Sequence, residues 1–394
     1  MSLSVSARMA RVRPSPTGAV LARATELRAQ GRDILSLGAG EPDFDTPQFI
    51  KDAAAKAIAA GHTKYTPIDG TAALKAAIRR KFERDNGLSY APSQILVSCG
   101  AKQSLFNLCL GLLGAGDEAI IPAPYWVSYP DMVRLADAEP VVIDAGIEND
   151  FKVSPQQLKA AITENTRLLF LNSPSNPTGA SYSKAELQAL GEVIGEYPKI
   201  VVVADDIYEH IYWASEPFVS FASACPALFE RTVTINGVSK AYAMTGWRVG
   251  YAGGPETLIK AMKTIQSQST SNPCSVSQVA AQAALDGDQA PVTEMCTAYK
   301  ARHDYIVDAL NDIPGFNCRM GEGTFYAFPQ VTGALESIGL ASDADLVERL
   351  INEADVACVP GAAFGAPGYM RISYACSIES LKDAVNRMKR VLSA

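Results

Sequence analysis

Residues that build metal and redox sites are scarce in this sequence. Only three of its 394 residues are histidine, and none of its eight cysteines forms a Cys-x-x-Cys pair. The spacings typical of zinc fingers and of dithiol redox motifs are therefore absent. In a chain of this length the pattern favours reduced, mostly buried thiols in a cytosolic protein, and we expect no metal site.

Long apolar runs and clustered positive charge are also missing. No stretch approaches the ~20 apolar residues of a membrane-spanning helix. The N-terminal MSLSVSARMARVRPSPTG contains arginines but lacks the apolar core of a secretory signal, so we expect a soluble cytoplasmic protein. The net charge is −7 without a basic block, which argues against a nucleic-acid surface but leaves a small anionic substrate open.

Two glycine-rich nucleotide motifs are absent as well. No Gly-x-Gly-x-x-Gly follows an apolar run, and no Gly-Lys-Ser/Thr of a Walker A loop occurs. The sequence therefore excludes a dinucleotide-binding Rossmann motif and a P-loop.

Short apolar runs dominate the middle of the chain. With 48% hydrophobic residues, 394 residues are enough for more than one core. The runs alternate with helix-like stretches between about residues 94 and 255, which predicts an α/β fold with a seven-stranded, mostly parallel sheet covered by helices. These runs are QILVS, EAIIPA, EPVVID, RLLFLN, KIVVVAD, RTVTIN and RVGYAG.

The last hundred residues have a different pattern. Strand-like FNCRMGEGTFYAFPQV, DVACVPG and YMRISYA precede a segment whose apolar residues recur three and four apart, with Ser377 placed to cap that helix. This predicts a smaller α+β domain at residues 296–394, a large domain at 46–295, and an N-terminal segment, 1–45, that packs with the small domain.

Lys240 follows the strand-like RTVTI and lies among small residues. A loop lysine on the surface explains that position equally well. Partial burial at the end of a sheet would instead lower its pKa and expose the neutral amine that attack on an aldehyde requires.

Asp205 ends the preceding apolar run along the chain, in VVVADDIYEH, and Tyr208 follows three residues later. A carboxylate there could hold the protonated ring nitrogen of pyridoxal phosphate, with Tyr208 donating to the ring oxygen. A capping aspartate and a packed tyrosine remain the alternative.

Asn176 and Arg371 are the candidate partners of carboxylates. Asn176 lies in LNSPSNPTG, which a tight turn explains by itself, or it donates its amide to the ring oxygen and the substrate carboxylate. Arg371 in YMRISYA either points to solvent or captures the α-carboxylate of a substrate with two parallel hydrogen bonds.

Gly100, Ala101 and Lys102 stand where a strand leads into a helix. The first N–H groups of a helix lack partners and suit a phosphate, to which Arg248 would add a charge-assisted fork. Lys240 and Arg248 would then hold the aldehyde and the phosphate of one cofactor.

Five motifs together resemble the class I aminotransferases among the fold-type I pyridoxal phosphate enzymes. They are SKAYAMTGWRVGY, NSPSNPTG, ADDIYEH, LGAGEPDFDTP and YMRISYA. The resemblance runs from about residue 5 to the end. It is closest to the bacterial subgroup Ib, which contains aspartate and bifunctional aspartate/prephenate aminotransferases.

The resemblance implies pyridoxal 5'-phosphate as cofactor and a role for each matching residue. Lys240 matches the lysine that binds it covalently. The other cofactor positions are Asp205 at the ring nitrogen, Tyr208 and Asn176 at the ring hydroxyl, Trp126 stacked on the ring, and Arg248, Gly100, Ala101 and Lys102 at the phosphate. Where many aspartate enzymes carry a phosphate-binding serine this chain has Gly237, so Ser239 is a candidate to compensate.

The same resemblance implies a homodimer and an amino acid site. Tyr65 matches a tyrosine that reaches the phosphate bound by the other subunit. Arg371 and Gly40 match positions at the substrate α-carboxylate. Lys102 and Thr17 are the candidates for the distal carboxylate.

We therefore expect ping-pong transamination of L-aspartate and 2-oxoglutarate to oxaloacetate and L-glutamate, with Lys240 moving the Cα proton. Aspartate/prephenate or aromatic transamination remains an alternative. Another pyridoxal phosphate reaction, such as a β-lyase, and a non-catalytic binding protein are further alternatives.

Overall fold

The computed structural model describes residues 3–392. Residues 1–2 and 393–394, the extreme ends of the expected N-terminal segment and small domain, lie outside the described residues. The α-helices are α1 Pro16–Ala29, α2 Gln48–Ala59, α3 Ala72–Asn86, α4 Ala101–Leu112, α5 Tyr129–Leu135, α6 Pro155–Ala161, α7 Lys184–Gly195, α8 Phe221–Ala224, α9 Glu256–Ser267, α10 Ser275–Asp286, α11 Ala290–Asn311, α12 Thr332–Ile338, α13 Asp343–Glu353 and α14 Ile378–Leu392. The strands are β1 Leu35–Ser36, β2 Ile95–Ser98, β3 Glu118–Ala123, β4 Glu139–Asp144, β5 Thr166–Asn172, β6 Val201–Asp205, β7 Thr232–Gly237, β8 Gly250–Gly253, β9 Tyr326–Ala327, β10 Val356–Ala357, β11 Val359–Pro360 and β12 Met370–Ser373.

All seven apolar runs form strands of one sheet, which confirms the predicted fold class. The strand order is β2-β8-β7-β6-β5-β3-β4, and neighbouring strands are parallel except that β8 runs antiparallel to both of its neighbours. Residues 238–249 connect β7 to β8 without an α-helix. Parallel neighbours need a crossover connection, which is usually a helix. Because this connection contains no α-helix, β8 returns antiparallel to β7.

The central strands are buried throughout and mostly apolar because helices cover both faces of the sheet. Every residue of β2, β6, β7 and β8 is buried. Neighbouring Val202 and Val203 show the two faces: Val203 packs in the cluster formed with α4, α5 and α9, and Val202 packs in the cluster with α7 and α8. Edge strand β4 differs, since Ile143 is its one buried residue.

The C-terminal strands form two small sheets. Strand β12 lies between β11 and β9 in an antiparallel sheet, while β1 from the N-terminal segment pairs in parallel with β10. The predicted last helix is α14, and the Ser377 hydroxyl accepts from the Ser380 N–H at its start. The division at 45/46 and 295/296 stays a prediction, and α11 continues across the second boundary.

The structure bears on the expected reduced cysteines and on the expected absence of a membrane-spanning helix. All eight cysteines are free thiols, of which four are buried and Cys274 is exposed. Within residues 3–392, no helix is both long and apolar enough to span a bilayer. The cytoplasmic location stays a prediction.

Candidate active site

A cavity of about 470 Å³ opens at the carboxyl ends of the central strands, between them, α1 and β12. It brings together most of the predicted site residues from distant parts of the chain. Those that line it are Thr17, Gly40, Ala101, Lys102, Trp126, Asn176, Asp205, Tyr208, Ser239, Lys240, Arg248 and Arg371. Gly100 lies immediately beside Arg248, whereas Tyr65 lies apart from the cavity lining.

Lys240 reaches the cavity from the loop that follows β7. Its Nζ donates to the Gly40 carbonyl oxygen at 2.5 Å and lies 5.8 Å from the ring centroids of Tyr208 and Phe325. Burial, followed by the positive charge of Arg371, lowers the pKa of Lys240 to about 8. About a tenth of this amine is therefore neutral and nucleophilic at pH 7, far more than of an ordinary lysine.

Asp205 is the last residue of β6 and is buried. Its Oδ2 accepts a hydrogen bond from the Tyr129 hydroxyl at 2.6 Å, but Oδ1 has no hydrogen-bond partner within residues 3–392. Burial raises the pKa of Asp205 to about 6, against the opposing effect of the Tyr129 hydrogen bond. An unpartnered carboxylate oxygen in a buried site suits a cationic hydrogen-bond donor.

Arg371 on β12 is 2% exposed, yet it forms no ion pair with any described carboxylate. Its guanidinium donates to Asn176 Oδ1 at 2.9 Å and to the Gly38 carbonyl oxygen at 2.7 Å. It also stacks 4.4 Å from the Tyr326 ring centroid. A buried cation without a counter-charge is costly, so this site favours an anionic ligand.

The amino end of α4 faces a second cation. Gly100 has φ +86°, and a Cβ on it would run into the Arg248 guanidinium. Arg248 donates to the carbonyl oxygens of Thr245 and Cys99, and it has no carboxylate partner in the described part of the chain. Free N–H groups and an unpaired guanidinium together suit a phosphate.

Gly237, at the position where the resemblance implies a serine in many aspartate enzymes, lies in a tightly packed place where a side chain would require its neighbours to shift by a few tenths of an ångström. A Cβ there would lie 3.0 Å from the Val249 carbonyl oxygen and 3.1 Å from Gly250 Cα. Ser239 lines the cavity instead. Its proposed compensating role stays a prediction.

The cavity lining also includes Lys102, Trp126 and Thr17. Lys102 Nζ lies 5.2 Å from the Trp126 ring centroid, and Lys102 forms no ion pair within residues 3–392. Thr17 belongs to α1 and reaches the same space from the N-terminal segment. Together with Arg371 and Arg248, the cavity lining therefore holds three cations that have no carboxylate partner within residues 3–392.

Sequence reasoning missed Tyr129 and Tyr326. Tyr129 holds Asp205, and the Tyr326 hydroxyl shares a 2.9 Å hydrogen bond with the Tyr208 hydroxyl. Both lie in apolar, aromatic stretches, YWVSYP and GTFYAF, where nothing distinguishes them from core aromatics. Only the packing of β9 and α5 against the site identifies them.

The comparison with known proteins assigns the family. The chain matches the family model "Aminotransferase class I and II" over residues 32–388. It is a class I/II aminotransferase. The aspartate/prephenate aminotransferase of Nitrosomonas europaea is 54% identical over 397 residues, which cover 99% of this chain and all of that protein.

Two further similarities extend over the whole chain. The aspartate aminotransferase of Geobacillus stearothermophilus is 49% identical across 100% of both chains. A crystal structure of the aspartate aminotransferase from Rhizobium meliloti superimposes with a TM-score of 0.96 at 46% identity, covering 100% of this chain and 99% of that one. This confirms the predicted family and fold of the aminotransferase.

Aminotransferases of this class use pyridoxal phosphate, and the residues present fit it. The unpartnered Asp205 Oδ1 would hold the ring N–H, and the α4 amino end with Arg248 would hold the phosphate. Lys240 would supply the amine that binds the aldehyde carbon. These assignments rest on the chemistry of the donor set, and the individual roles stay predictions.

The rate at which the cofactor-free aminotransferase binds pyridoxal phosphate covalently is expected to rise with pH through about 8, because only neutral Lys240 attacks the aldehyde. Arg371→Leu removes a positive charge that lowers the pKa of Lys240. The pH midpoint of cofactor binding in this variant is therefore expected to shift upward. Stopped-flow absorbance at a series of pH values measures both midpoints. A wild-type midpoint near the ordinary lysine value of about 10.4 would contradict the assignment.

Proposed function

We propose that this aminotransferase transfers the amino group of L-aspartate to 2-oxoglutarate, producing oxaloacetate and L-glutamate. One observation carries the proposal: Lys102, Arg248 and Arg371 line the same cavity, and none forms an ion pair within residues 3–392. One of these cations suffices for the cofactor phosphate. The other two match the two carboxylates of aspartate, glutamate and their oxo acids.

The α-carboxylate is assigned to Arg371. Its planar fork suits a carboxylate, and the Asn176 and Gly38 hydrogen bonds hold its orientation. Binding the α-carboxylate there fixes the amino acid beside Lys240. This restricts the direction of the Cα–H bond before any proton moves.

Proton transfer is assigned to Lys240 Nζ. When bound, pyridoxal phosphate supplies an aldehyde for the amino group and an electron sink for the pair left when Cα–H breaks. Lys240 takes the Cα proton and later returns it, and a pKa of about 8 suits both directions. Asp205 keeps the ring nitrogen protonated, while Tyr208, held by Tyr326, donates at the ring oxygen.

The distal carboxylate is assigned to Lys102, with Thr17 beside it. Prephenate is a second candidate substrate, because it also carries two carboxylates and because the cavity is partly apolar at Leu21, Leu105 and Trp126. Relatives named aspartate/prephenate aminotransferase, at 54% and 52% identity, support this alternative.

The decisive experiment is the visible spectrum of the wild-type protein with pyridoxal phosphate, titrated with aspartate and no oxo acid. We expect conversion of the cofactor from its aldehyde to its amine form. Lys102→Gln is expected to raise the half-saturating aspartate concentration about 10- to 100-fold, since a hydrogen bond to a charged group contributes about 1.5–3 kcal/mol. Alanine, which lacks a distal carboxylate, serves as the control and should respond alike in both proteins.

The other outcomes separate the alternatives. A protein that ignores aspartate but responds to glutamate or arogenate would exclude aspartate as substrate. Release of pyruvate or ammonia in step with amino acid consumed would indicate a β-lyase. A colourless protein that cannot be reconstituted would contradict the role of Lys240.

We also propose a homodimer in which Tyr65 contacts the cofactor phosphate of the partner subunit. Tyr65 is 92% exposed, which is unusual for an aromatic side chain. Its loop is nevertheless held: buried Gln278 donates to Thr66 Oγ1 and accepts from the Thr71 N–H. A fixed loop that presents an exposed tyrosine supports a contact outside the chain.

Hybrid dimers test this arrangement. Tyr65→Phe is expected to raise the cofactor dissociation constant about tenfold or more through loss of a hydrogen bond to a charged group. Pairing Tyr65→Phe with Lys240→Ala subunits places an intact Tyr65 opposite an intact Lys240. One site per hybrid should then regain wild-type affinity, and failure to regain it would contradict the proposal.

A further inference from the structure

A buried group of four polar side chains lies next to the active-site loop without lining the cavity. We call it the Glu209 network, and it consists of Lys81, Asn86, Glu209 and Asn236. The side chains of Lys81 and Glu209 are 0% and 3% exposed. The proposed mechanism uses none of these residues.

The contacts within the network satisfy both oxygens of the Glu209 carboxylate. Oε1 pairs with Lys81 Nζ and accepts from Asn236 Nδ2 at 2.6 Å, while Oε2 accepts from Asn86 Nδ2 at 2.6 Å. Lys81 also donates to Asn86 Oδ1 at 2.7 Å. Burial raises the pKa of Glu209, but the nearby Lys81 and His210 and the hydrogen bonds from Lys81 and Asn86 together outweigh it, so the pKa lies below its usual value. Glu209 is therefore an ionised, fully bonded carboxylate in the interior.

The network joins three segments that meet only in the folded chain. Lys81 and Asn86 belong to the second half of α3. Glu209 directly follows Tyr208 in the turn after β6. Asn236 lies near the end of β7, four residues before Lys240, and its Oδ1 accepts from the Gly237 N–H at 2.7 Å.

Neither a metal site nor stability explains the network. Glu209, Asp85 and His210 place possible metal ligands within 4.8 Å of one another, but Lys81 Nζ already supplies the positive charge to Glu209. A buried ion pair contributes little stability compared with apolar residues of similar size. The clearest structural consequence of the network is that the chain segments at Tyr208 and just before Lys240 are both held by one carboxylate, that of Glu209.

We propose that Glu209 and Asn236 are positioning residues that fix the Asp205–Tyr208 turn relative to the Lys240 loop. The proposal rests on the cofactor site proposed above. A small displacement of the end of β6 or β7 would move Asp205, proposed at the ring nitrogen, relative to the Lys240 amine, proposed at the aldehyde carbon. Misplacement of about 1 Å can cost 100-fold in rate. Glu209 acts through Tyr208 and Asp205, and Asn236 acts through Lys240.

The test separates positioning from stability by removing both charges together. Glu209→Leu alone leaves buried Lys81 with only the Asp85 carboxylate, 3.9 Å away, as counter-charge and should lower the melting temperature, whereas Lys81→Met/Glu209→Leu should regain most of it. In the double variant we expect kcat to stay about 10- to 100-fold below wild type. The pH midpoint of the bound cofactor's visible band in the double variant should also differ from the wild-type midpoint.

Recovery of kcat and of the pH midpoint together with the melting temperature would overturn the proposal. Leu190→Ala in α7 is the matched control, because it removes buried contacts at a residue outside the cavity lining and the Glu209 network, and it should lower the melting temperature alone. The wild-type visible band is measured first. Its absence would refute the proposed cofactor site and is thus distinguishable from failure of the network.

Asn236→Ala provides a milder second variant if the double variant fails to fold. It removes the link between Glu209 and the strand end before Lys240 and leaves the ion pair intact. We expect a shifted pH midpoint and a lower kcat with unchanged KM. A wild-type midpoint and kcat in this variant would overturn the proposal.

Discussion

Lys240→Ala is expected to lower the turnover of aspartate and 2-oxoglutarate by about 10⁴-fold, to the limit of detection. The variant loses the amine that holds the cofactor and the base that takes the Cα proton. Stability should change little, since Lys240 Nζ donates one hydrogen bond, to the Gly40 carbonyl oxygen, and forms no ion pair within residues 3–392. Steady-state kinetics together with the melting temperature measure both effects.

The surface variant Lys199→Ala is the matched control and should keep wild-type turnover, because Lys199 is exposed and does not line the cavity. Borohydride treatment of the wild-type protein with pyridoxal phosphate should attach one cofactor per chain at Lys240. Normal steady-state rates in Lys240→Ala, or attachment at another lysine, would refute the assignment.

Arg371→Leu is expected to lower kcat/KM for every amino acid substrate by about 10²- to 10³-fold. Truncating one member of a buried, hydrogen-bonded charge pair costs about 2–5 kcal/mol, and here the substrate carboxylate is left without its partner. Because the carboxylate orients the Cα–H bond, kcat should fall as well as KM rise. Steady-state kinetics with aspartate and alanine measure both parameters.

The comparison of substrates separates Arg371 from Lys102. The Arg371 variant should lose aspartate and alanine turnover alike, whereas Lys102→Gln should affect aspartate only. Arg371→Lys retains a charge without the planar fork and should recover part of the loss. An Arg371→Leu enzyme with unchanged kcat/KM for alanine would show that the α-carboxylate binds elsewhere.

Much of the fold could be predicted from the sequence because central strands buried on both faces are rich in apolar and β-branched residues. β2 and β6 show this in runs that are apolar up to their last residue, and β7 in a run of β-branched residues that ends at Asn236, and their positions followed directly. The exposed edge strand β4 and the reversed direction of β8 carry no comparable signal. They depend on which neighbours a strand acquires and on how the chain returns to the sheet.

Candidate site residues could be found where they stand at strand ends in polar or small-residue turns, as Asp205 and Lys240 do. Tyr129, Tyr326 and Glu209 could not be found in this way. Their types and neighbours match those of ordinary core or loop residues. Their partners are also far away in the chain, as with Tyr326 beside Tyr208 and Glu209 beside Lys81.

The sequence by itself determined the family, the sheet and the chemical types available at the strand ends, since these depend on local pattern and residue identity. Only the tertiary structure decided which cations stay unpaired, how far burial lowers the pKa of Lys240, and which groups hold Asp205 and Tyr208 in place. Those properties depend on distances and on exclusion of water. Both arise when segments more than a hundred residues apart, such as α3 and the turn after β6, pack against each other.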